Sequence, residues 1–503
     1  MNEDLIRPYQ ATNLPSIQLG GILLNSHLLP NAPVNLVLKS FNRHGLIAGA
    51  TGTGKTKTMQ VLAEQLSLAG VPSLVMDIKG DISGLAMPGD ETDDLKARSQ
   101  SLNLSFEPKA FPVEILTLNG SKEGVPVRAK IEDFGPILFA RMLDVNETQA
   151  GVLTIVFEYA KSKNLPLIDL ADMKSLLQFL QSDAGKQEVE SAFGGMAATS
   201  VGAIVRKIVE LEAQGANQFF GEPAFQVLDL IKTNAEGMGI ISILRLMDMQ
   251  DKPKLFSTFM LKLLSDIYRL MPELGDPPKP KLVLFIDEAH LIFKNASKPL
   301  LDMLDTIVKL IRSKGISIIF CTQTPDDVPE SVLSQLGLKI QHALRAFTAK
   351  DRKAMKLIAQ NFPPSEDYDT EALLTTLGMG EALLSSLDGK GQPTPLVQCL
   401  IRPPESRMGV LNEKELQQAI TMSSLFPKYE NRQERSSAKE ILATRTAVAE
   451  QVAIKSKAQK NSKAEDPSIV EQISKNTLFR QVIRQIIRDI TRSILSAIGV
   501  KKR

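Results

Sequence analysis

The sequence predicts an α/β fold: a mostly parallel sheet covered on both faces, interrupted by an all-α insertion and followed by a helical C-terminal extension. Three observations predict it. Gly49-Ala50-Thr51-Gly52-Thr53-Gly54-Lys55-Thr56 completes a G-x-x-x-x-G-K-[ST] pattern between a short apolar strand and a helix, the mark of a phosphate-binding loop. Continuous short apolar runs alternate with helical patterns on either side of a long gap, as buried parallel strands do. Across that gap, from about 132 to 220, apolar residues recur at three- and four-residue spacing with no strand-like stretch.

Residues 1–36 come first. Turn formers (Pro8, Pro15, Gly20, Gly21, Pro30, Pro33) surround short apolar pieces there and read as a strand or hairpin lead-in. Gly45–Ala48 is the strand entering the glycine-rich loop, and 55–69 is the helix leaving it, stopped by Gly70. The apolar run 73–78, followed by the turn Lys79-Gly80-Asp81, completes one βαβ unit. Residues 88–107 are polar and read as a loop ahead of a strand at 113–118. Helical patterns at 137–143, 152–159 and 176–180 make up the insertion, with Gly194-Gly195 as a hinge or turn. Strands resume at 239–244, then a helix over Pro253–Leu270, a proline-rich turn at 276–280, and strands at Leu282–Ile286, 316–321 and 338–343.

The expected organisation follows from these elements. Residues 1–130 hold the lead-in and the first part of the core, 131–235 the insertion, and 236–405 the second part of the core. A helical extension (406–454), a polar linker (455–468) and a basic amphipathic helix (469–503) complete the chain. In that last segment Arg480, Arg484, Arg488 and Arg492 recur every fourth residue beside an isoleucine-rich face. Such a helix suits a DNA contact, or packing of its isoleucines on a partner or the core.

With 503 residues at 43% hydrophobic content, the chain can bury a sizeable core. Lys plus Arg (59) nearly balance Asp plus Glu (57), so bulk charge gives no sign of nucleic-acid binding and any basic surface is local. The two cysteines, Cys321 and Cys399, have no neighbours at metal or redox spacing and read as small core residues in a reducing compartment. His27, His44, His290 and His342 also lack metal-ligand spacing. The acidic N-terminus lacks the order of a secretory signal. No apolar run approaches the roughly 20 residues that cross a bilayer, so no integral membrane segment and a cytoplasmic location are expected.

The glycine-rich loop names a ligand. Glycines let successive amides surround phosphates, and the following helix turns its positive N-terminus toward them. Gly49, Ala50, Thr51, Gly52, Thr53, Gly54, Lys55, Thr56 and Thr58 are the expected nucleotide contacts. Among them Lys55 reaches the β- and γ-phosphates, and the Thr56 hydroxyl binds Mg²⁺. The apolar strand Leu282–Ile286 ends in Asp287 and Glu288. Asp287 is expected to hold Mg²⁺, and Glu288 to orient and deprotonate an attacking water. Gln323 ends the strand at 316–321 and suits a γ-phosphate sensor or a simple strand-end cap. Arg312, just before that strand, and Arg345, after the next, are candidates to stabilise transition-state charge, or ordinary surface arginines. Asp77 and Lys79 fall on the same sheet edge as the loop if the strands are parallel, as nucleotide contacts or an ordinary turn.

The order of these motifs resembles the HerA-like helicases and translocases, in the HerA/FtsK branch of RecA-like ATPases. The resemblance runs from Arg43-His44-Gly45 through the loop, the strand ending Asp287-Glu288-Ala289-His290, and Arg312 through Gln323 to Leu333-Ser334-Gln335-Leu336-Gly337. More narrowly the chain resembles, over most of its length, bacterial HerA-like proteins formerly grouped as a family of unknown function. Phe219-Phe220-Gly221-Glu222-Pro223 fits that narrower group.

The resemblance implies a RecA-like core, ATP hydrolysis with Mg²⁺, and a hexameric ring with active sites at subunit interfaces. Duplex DNA is the implied substrate, with a nuclease or other protein as a further candidate partner. By position, Lys55, Thr56, Asp287 and Glu288 match the ATPase motifs, Gln323 the sensor and Arg312 the trans-acting arginine. Two features depart from the pattern. The lead-in of about 40 residues is shorter than the roughly 50-residue minimum of a domain, so the separate β-barrel of archaeal members is not expected, and the helical insertion is additional. Three functions stay open: a ring-shaped DNA motor, a nucleotide-controlled assembly ATPase that moves no polymer, and a small-molecule kinase. Adjacent Asp287 and Glu288 favour water over another phosphoryl acceptor, and no Asn-Lys-x-Asp sequence is present to read guanine.

Overall fold

Every apolar run expected to be a strand is one in the computed structural model, which describes residues 3–120, 122–248, 251–295, 298–345, 348–433 and 435–447. The strands are β1 (Ser16–Leu24), β2 (His27–Val37), β3 (Gly45–Ala48), β4 (Ser73–Asp77), β5 (Val113–Thr117), β6 (Val125–Pro126), β7 (Ile241–Arg245), β8 (Leu282–Ile286), β9 (Ile316–Thr322), β10 (Leu338–Gln341), β11 (Glu381–Ser385) and β12 (Val397–Ile401). They form one twelve-stranded sheet in the order β2-β1-β12-β11-β10-β3-β9-β8-β4-β7-β5-β6. From β10 to β6 all neighbours are parallel. From β2 to β10 they are antiparallel. Strands β3, β4, β8 and β9 are buried along their whole length, which is why they read as unbroken apolar runs rather than as alternation.

The helices follow in chain order: α1 (Glu3–Ile6), α2 (Lys55–Leu68), α3 (Asp93–Ser101), then α4 (Ile131–Leu143), α5 (Glu147–Ser162), α6 (Leu170–Phe179), α7 (Asp183–Phe193), α8 (Ala198–Ala213) and α9 (Ala216–Phe219) between β6 and β7. Beyond β7 come α10 (Pro253–Leu270), α11 (His290–Asn295), α12 (Lys298–Leu310), α13 (Glu330–Leu333), α14 (Ala349–Gln360), α15 (Thr370–Thr376), α16 (Glu413–Met422) and α17 (Phe426–Tyr429). Helices α7 and α8 diverge by 108° at the expected Gly194 turn, where φ is 85°. Phe134 on α4 lies 5.7 Å from Phe220, and Phe219 lies 6.3 Å from Phe259 on α10. The first of these contacts is internal to the insertion, and the second, edge-on, seats it on the core.

Two expectations change. Residues 88–107 are not all loop, because α3 occupies Asp93–Ser101. Its composition hides it: the exposed face is polar, and the start is set by Thr92, whose side chain accepts the Leu95 amide at 3.4 Å. Strands β11 and β12 escaped the sequence reading, since each is only five residues long and its apolar run is cut short by polar residues, Glu381 and Ser385 in β11 and Gln398 in β12. They matter because they connect the lead-in hairpin, β1 and β2, to the parallel strands.

The chain divides into two units, Met1–Lys439 and Glu440–Arg503. Within the first, the strap after β12 is tied to α2, where Glu64 accepts the amides of Glu405 (2.9 Å) and Ser406 (3.0 Å). Burial pushes the Glu64 carboxyl up to about 7 while these bonds pull it down. Of the second unit the described residues, 440–447, are helical. The expected linker at 455–468 and basic helix at 469–503 lie outside the described residues.

Among the described residues no single helix is long and apolar enough to cross a membrane, and the bent pair α7 and α8 passes only by length and composition. Cys321 and Cys399 are free and buried, as expected of core residues.

Candidate nucleotide-binding site

The loop after β3 emerges at the C-terminal edge of the parallel strands, where open α/β sheets present ligand sites. Backbone bonds fix its entry: Gly49 donates to Thr322 O (3.3 Å) and Ala50 to Ala343 O (2.8 Å), one on each flanking strand segment. Gly49, Gly52 and Gly54 have φ of 152°, 81° and 114°, which side chains resist, and an added Cβ at Gly49 would lie 2.5 Å from His342 Cβ. No side chain caps α2, and Thr58 is the first amide with an acceptor inside the helix, Gly54 O at 2.9 Å. The preceding amides are the free donors of a helix start.

Lys55 is 6% exposed, and its Nζ donates to Ala50 O at 3.1 Å, folded over the loop that it serves. Burial lowers its pKa and Lys79 adds to that, while Glu288 and Asp287 pull the other way. Thr56 is half-buried at the same helix start. Thr58 points elsewhere: it is 1% exposed, and its hydroxyl lies 2.9 Å from His342 Nε2. The hydroxyl expected at the nucleotide is therefore engaged behind the loop. His342 also reaches Glu381 O through Nδ1 at 2.8 Å and donates its amide to Ala48 O at 2.7 Å. It forms the floor on which Gly49 rests, and burial lowers its pKa to about 4, so it stays neutral there.

Across the edge, Asp287 and Glu288 follow β8 and are 3% and 4% exposed. The sheet order sets β9 between β3 and β8, so the acids face the loop across one intervening strand end, which carries the exposed Gln323. Glu288 has φ of 47°, a left-handed position uncommon for residues other than glycine, and Leu291 N donates to its carbonyl at 2.9 Å. Lys79 forms an ion pair with Glu288 Oε1, and His290 Nδ1 lies 3.1 Å from Glu288 Oε2. Burial opposes the charge on Lys79, but the pairing with Glu288 and the nearby Asp287 raise its pKa overall. Asp77 does not join the pair. It caps the turn after β4, accepting Gly80 N at 2.7 Å, and burial raises its carboxyl to about 6.

These residues fit a hydrated divalent cation beside a polyphosphate. Asp287 Oδ2 is buried with no hydrogen-bond partner among the described residues, an arrangement that costs stability unless a ligand or water completes it. Burial pushes the Asp287 carboxyl up to about 7, with Glu288 adding to the rise and Lys79 opposing it. Among the described residues no three His, Cys, Asp or Glu side chains cluster as a self-sufficient metal site.

Arg312 and Arg345 fall on opposite edges. Arg345 is exposed beyond β10, on the loop's own edge. Arg312 precedes β9, and β9 runs parallel to β3, so it sits at the far end of the strands, 3.6 Å from Asp276. A cleft of about 520 Å³ there is lined by Arg43, Lys309, Arg312 and Lys339 among others. Sequence reasoning did not find the supporting role of His342, nor that of Arg98 on α3. Arg98 holds Ile401 O (2.8 Å) and Gly380 O (2.7 Å), and Gly380 N in turn donates to Thr53 O (3.2 Å). A glycine pair, Gly378 and Gly380, was the only local signal.

A glycine loop closing on a helix N-terminus, faced by two acids across an intervening strand, defines a nucleotide-binding protein of the P-loop α/β class. Residues 24–503 match the family described as "Helicase HerA-like C-terminal", and the chain belongs to that family. It is 24% identical over 374 residues to the DNA double-strand break repair helicase HerA of Saccharolobus solfataricus, and 22% identical over 388 residues to that of Sulfolobus acidocaldarius. Each match covers 73% of this chain, which spans 66% of the length of those relatives. Among solved structures, the plasmid coupling protein TrwB in complex with ADP and Mg²⁺ superposes with a TM-score of 0.51 at 16% identity, covering 82% of this chain and 94% of that one. At that identity the likeness is one of fold.

Proposed function

We propose that this chain is an ATP-hydrolysing motor subunit that works as a homo-oligomeric ring on double-stranded DNA in the cytoplasm. The observation that carries the reading is the pairing of the phosphate loop with Asp287 and Glu288 across β9. Amides of the loop and Lys55 hold the triphosphate, and Thr56 and Asp287 hold Mg²⁺. When bound, Mg²⁺ supplies positive charge to the phosphate oxygens. Glu288 accepts a proton from the water that attacks the γ-phosphorus, and the bond to the bridging oxygen of ADP breaks. In the free protein Lys79 neutralises Glu288; the base acts once that carboxylate is shared with water. Gln323, exposed beside the loop, contacts the γ-phosphate or that water.

DNA as the substrate rests on family membership and on the names of the relatives. ATP turnover should rise severalfold on adding duplex DNA, and the rise should fade steeply with salt. Turnover unchanged by any duplex from low to high salt would instead mark an ATPase that moves no polymer.

A ring explains Arg312. Separated from its own loop by the length of the strands, it serves only the loop of a neighbouring subunit. Mixing Arg312→Ala with Lys55→Ala subunits should therefore restore part of the activity that each lacks alone. Confirmed mixed assemblies without recovery would assign transition-state charge to Arg345 or to Lys55 alone.

A further inference from the structure

We propose that Met379, at the tip of the Gly378-Met379-Gly380 turn, is the platform for the nucleobase; this rests on the reading of Gly49–Thr56 as an ATP site. The turn is part of the loop's surroundings. Gly380 N donates to Thr53 O at 3.2 Å, and a Cβ added to Gly54 would meet Gly380 Cα at 3.3 Å. It is also held firmly. Arg98 reaches Met379 O at 3.4 Å and Gly380 O at 2.7 Å, and Glu381 Oε2 accepts Gly378 N at 2.9 Å. Gly380 has φ of 72°, and a Cβ there would lie 2.6 Å from Arg98 Nη2, so the turn closes on that guanidinium only with glycine.

On this anchored turn one group is left without a structural task. The Met379 side chain is 79% exposed, the most exposed of the large apolar residues described. The sheet order says what it meets. The acids that face the γ-phosphate lie on the β9 and β8 side of the loop, so the other end of the nucleotide leaves on the β10 and β11 side. Two strand spacings, about 10 Å, separate β3 from β11, and the turn stands immediately before β11. A thioether is polarizable and stacks well on a flat heteroaromatic ring, without asking for a particular hydrogen-bond pattern. Sulfur-ring contacts of this kind change affinity about two- to tenfold.

The test is calorimetric titration of the whole chain with ATP, ADP and inorganic tripolyphosphate, with assembly state followed by sedimentation in the same samples. Met379→Ala should weaken ATP and ADP by about three- to tenfold and leave tripolyphosphate unchanged, while Met379→Leu, which keeps the apolar bulk without the sulfur, should restore only part of the loss. Unchanged nucleotide affinity overturns the proposal. So does an equal loss for tripolyphosphate, which would mean that the turn shapes the phosphate cradle, and so does a loss that only follows dissociation of the assembly. Wild-type protein that binds neither ATP nor tripolyphosphate would instead overturn the nucleotide site itself.

Discussion

Glu288→Gln should bind ATP with near-normal affinity and fail to hydrolyse it, with turnover falling by about 10² to 10⁴. The reason lies in what the substitution keeps. Glutamine has the same length and shape, so the left-handed turn at φ 47° and the bond from Leu291 N to its carbonyl survive. What goes is the negative charge that accepts a proton from water, together with the ion pair to Lys79. Phosphate release and nucleotide binding measured side by side check this. A variant that still hydrolyses at more than about a tenth of the normal rate would remove Glu288 from the role of base.

Lys55→Ala should lose both binding and turnover. Hydrogen bonds to charged groups contribute about 1.5–3 kcal/mol each, so the dissociation constant for ATP should rise at least about 10- to 150-fold. Electrostatics deepen the loss, because Lys55 is one of two ammonium groups near Asp287 and Glu288, and its removal leaves those buried acids less compensated. Equilibrium binding of ADP and ATP reads the effect directly. Unaltered affinity would mean that the side chain stays folded on Ala50 O, as in the free protein, and never reaches the ligand.

The two substitutions separate functions that the sequence already distinguished. Loop and acids were legible because each is a contiguous string whose chemistry needs only a strand before it, and both strands were plain as unbroken apolar runs. Gln323 stood out for the same reason, as the polar residue that follows β9. Thr58 shows the limit of such reading. It was expected among the nucleotide contacts, but whether a hydroxyl at the start of α2 turns toward phosphate or toward the domain depends on what lies behind it. What lies behind is His342, nearly 300 residues away.

The lead-in shows the same limit at the scale of the sheet. Its hairpin was expected, yet its place was not, because β11 and β12 lie between it and the parallel strands. Helix α3 was hidden by its polar composition, and with it Arg98, the residue that holds the turn beside the loop.

By itself the sequence determined the parts of the candidate nucleotide site: a glycine-rich loop, a lysine, a hydroxyl and two acids, each carried by a local pattern of glycines and buried strands. Tertiary structure decided how those groups are held before the reaction. It paired Lys79 with Glu288, left Asp287 Oδ2 without a partner, set His342 beneath the loop, and put Arg312 at the far ends of the strands. The physical reason is range. Backbone chirality and apolar periodicity act over a few residues and are written in order along the chain, whereas desolvation and charge pairing depend on whichever distant segments the sheet brings together.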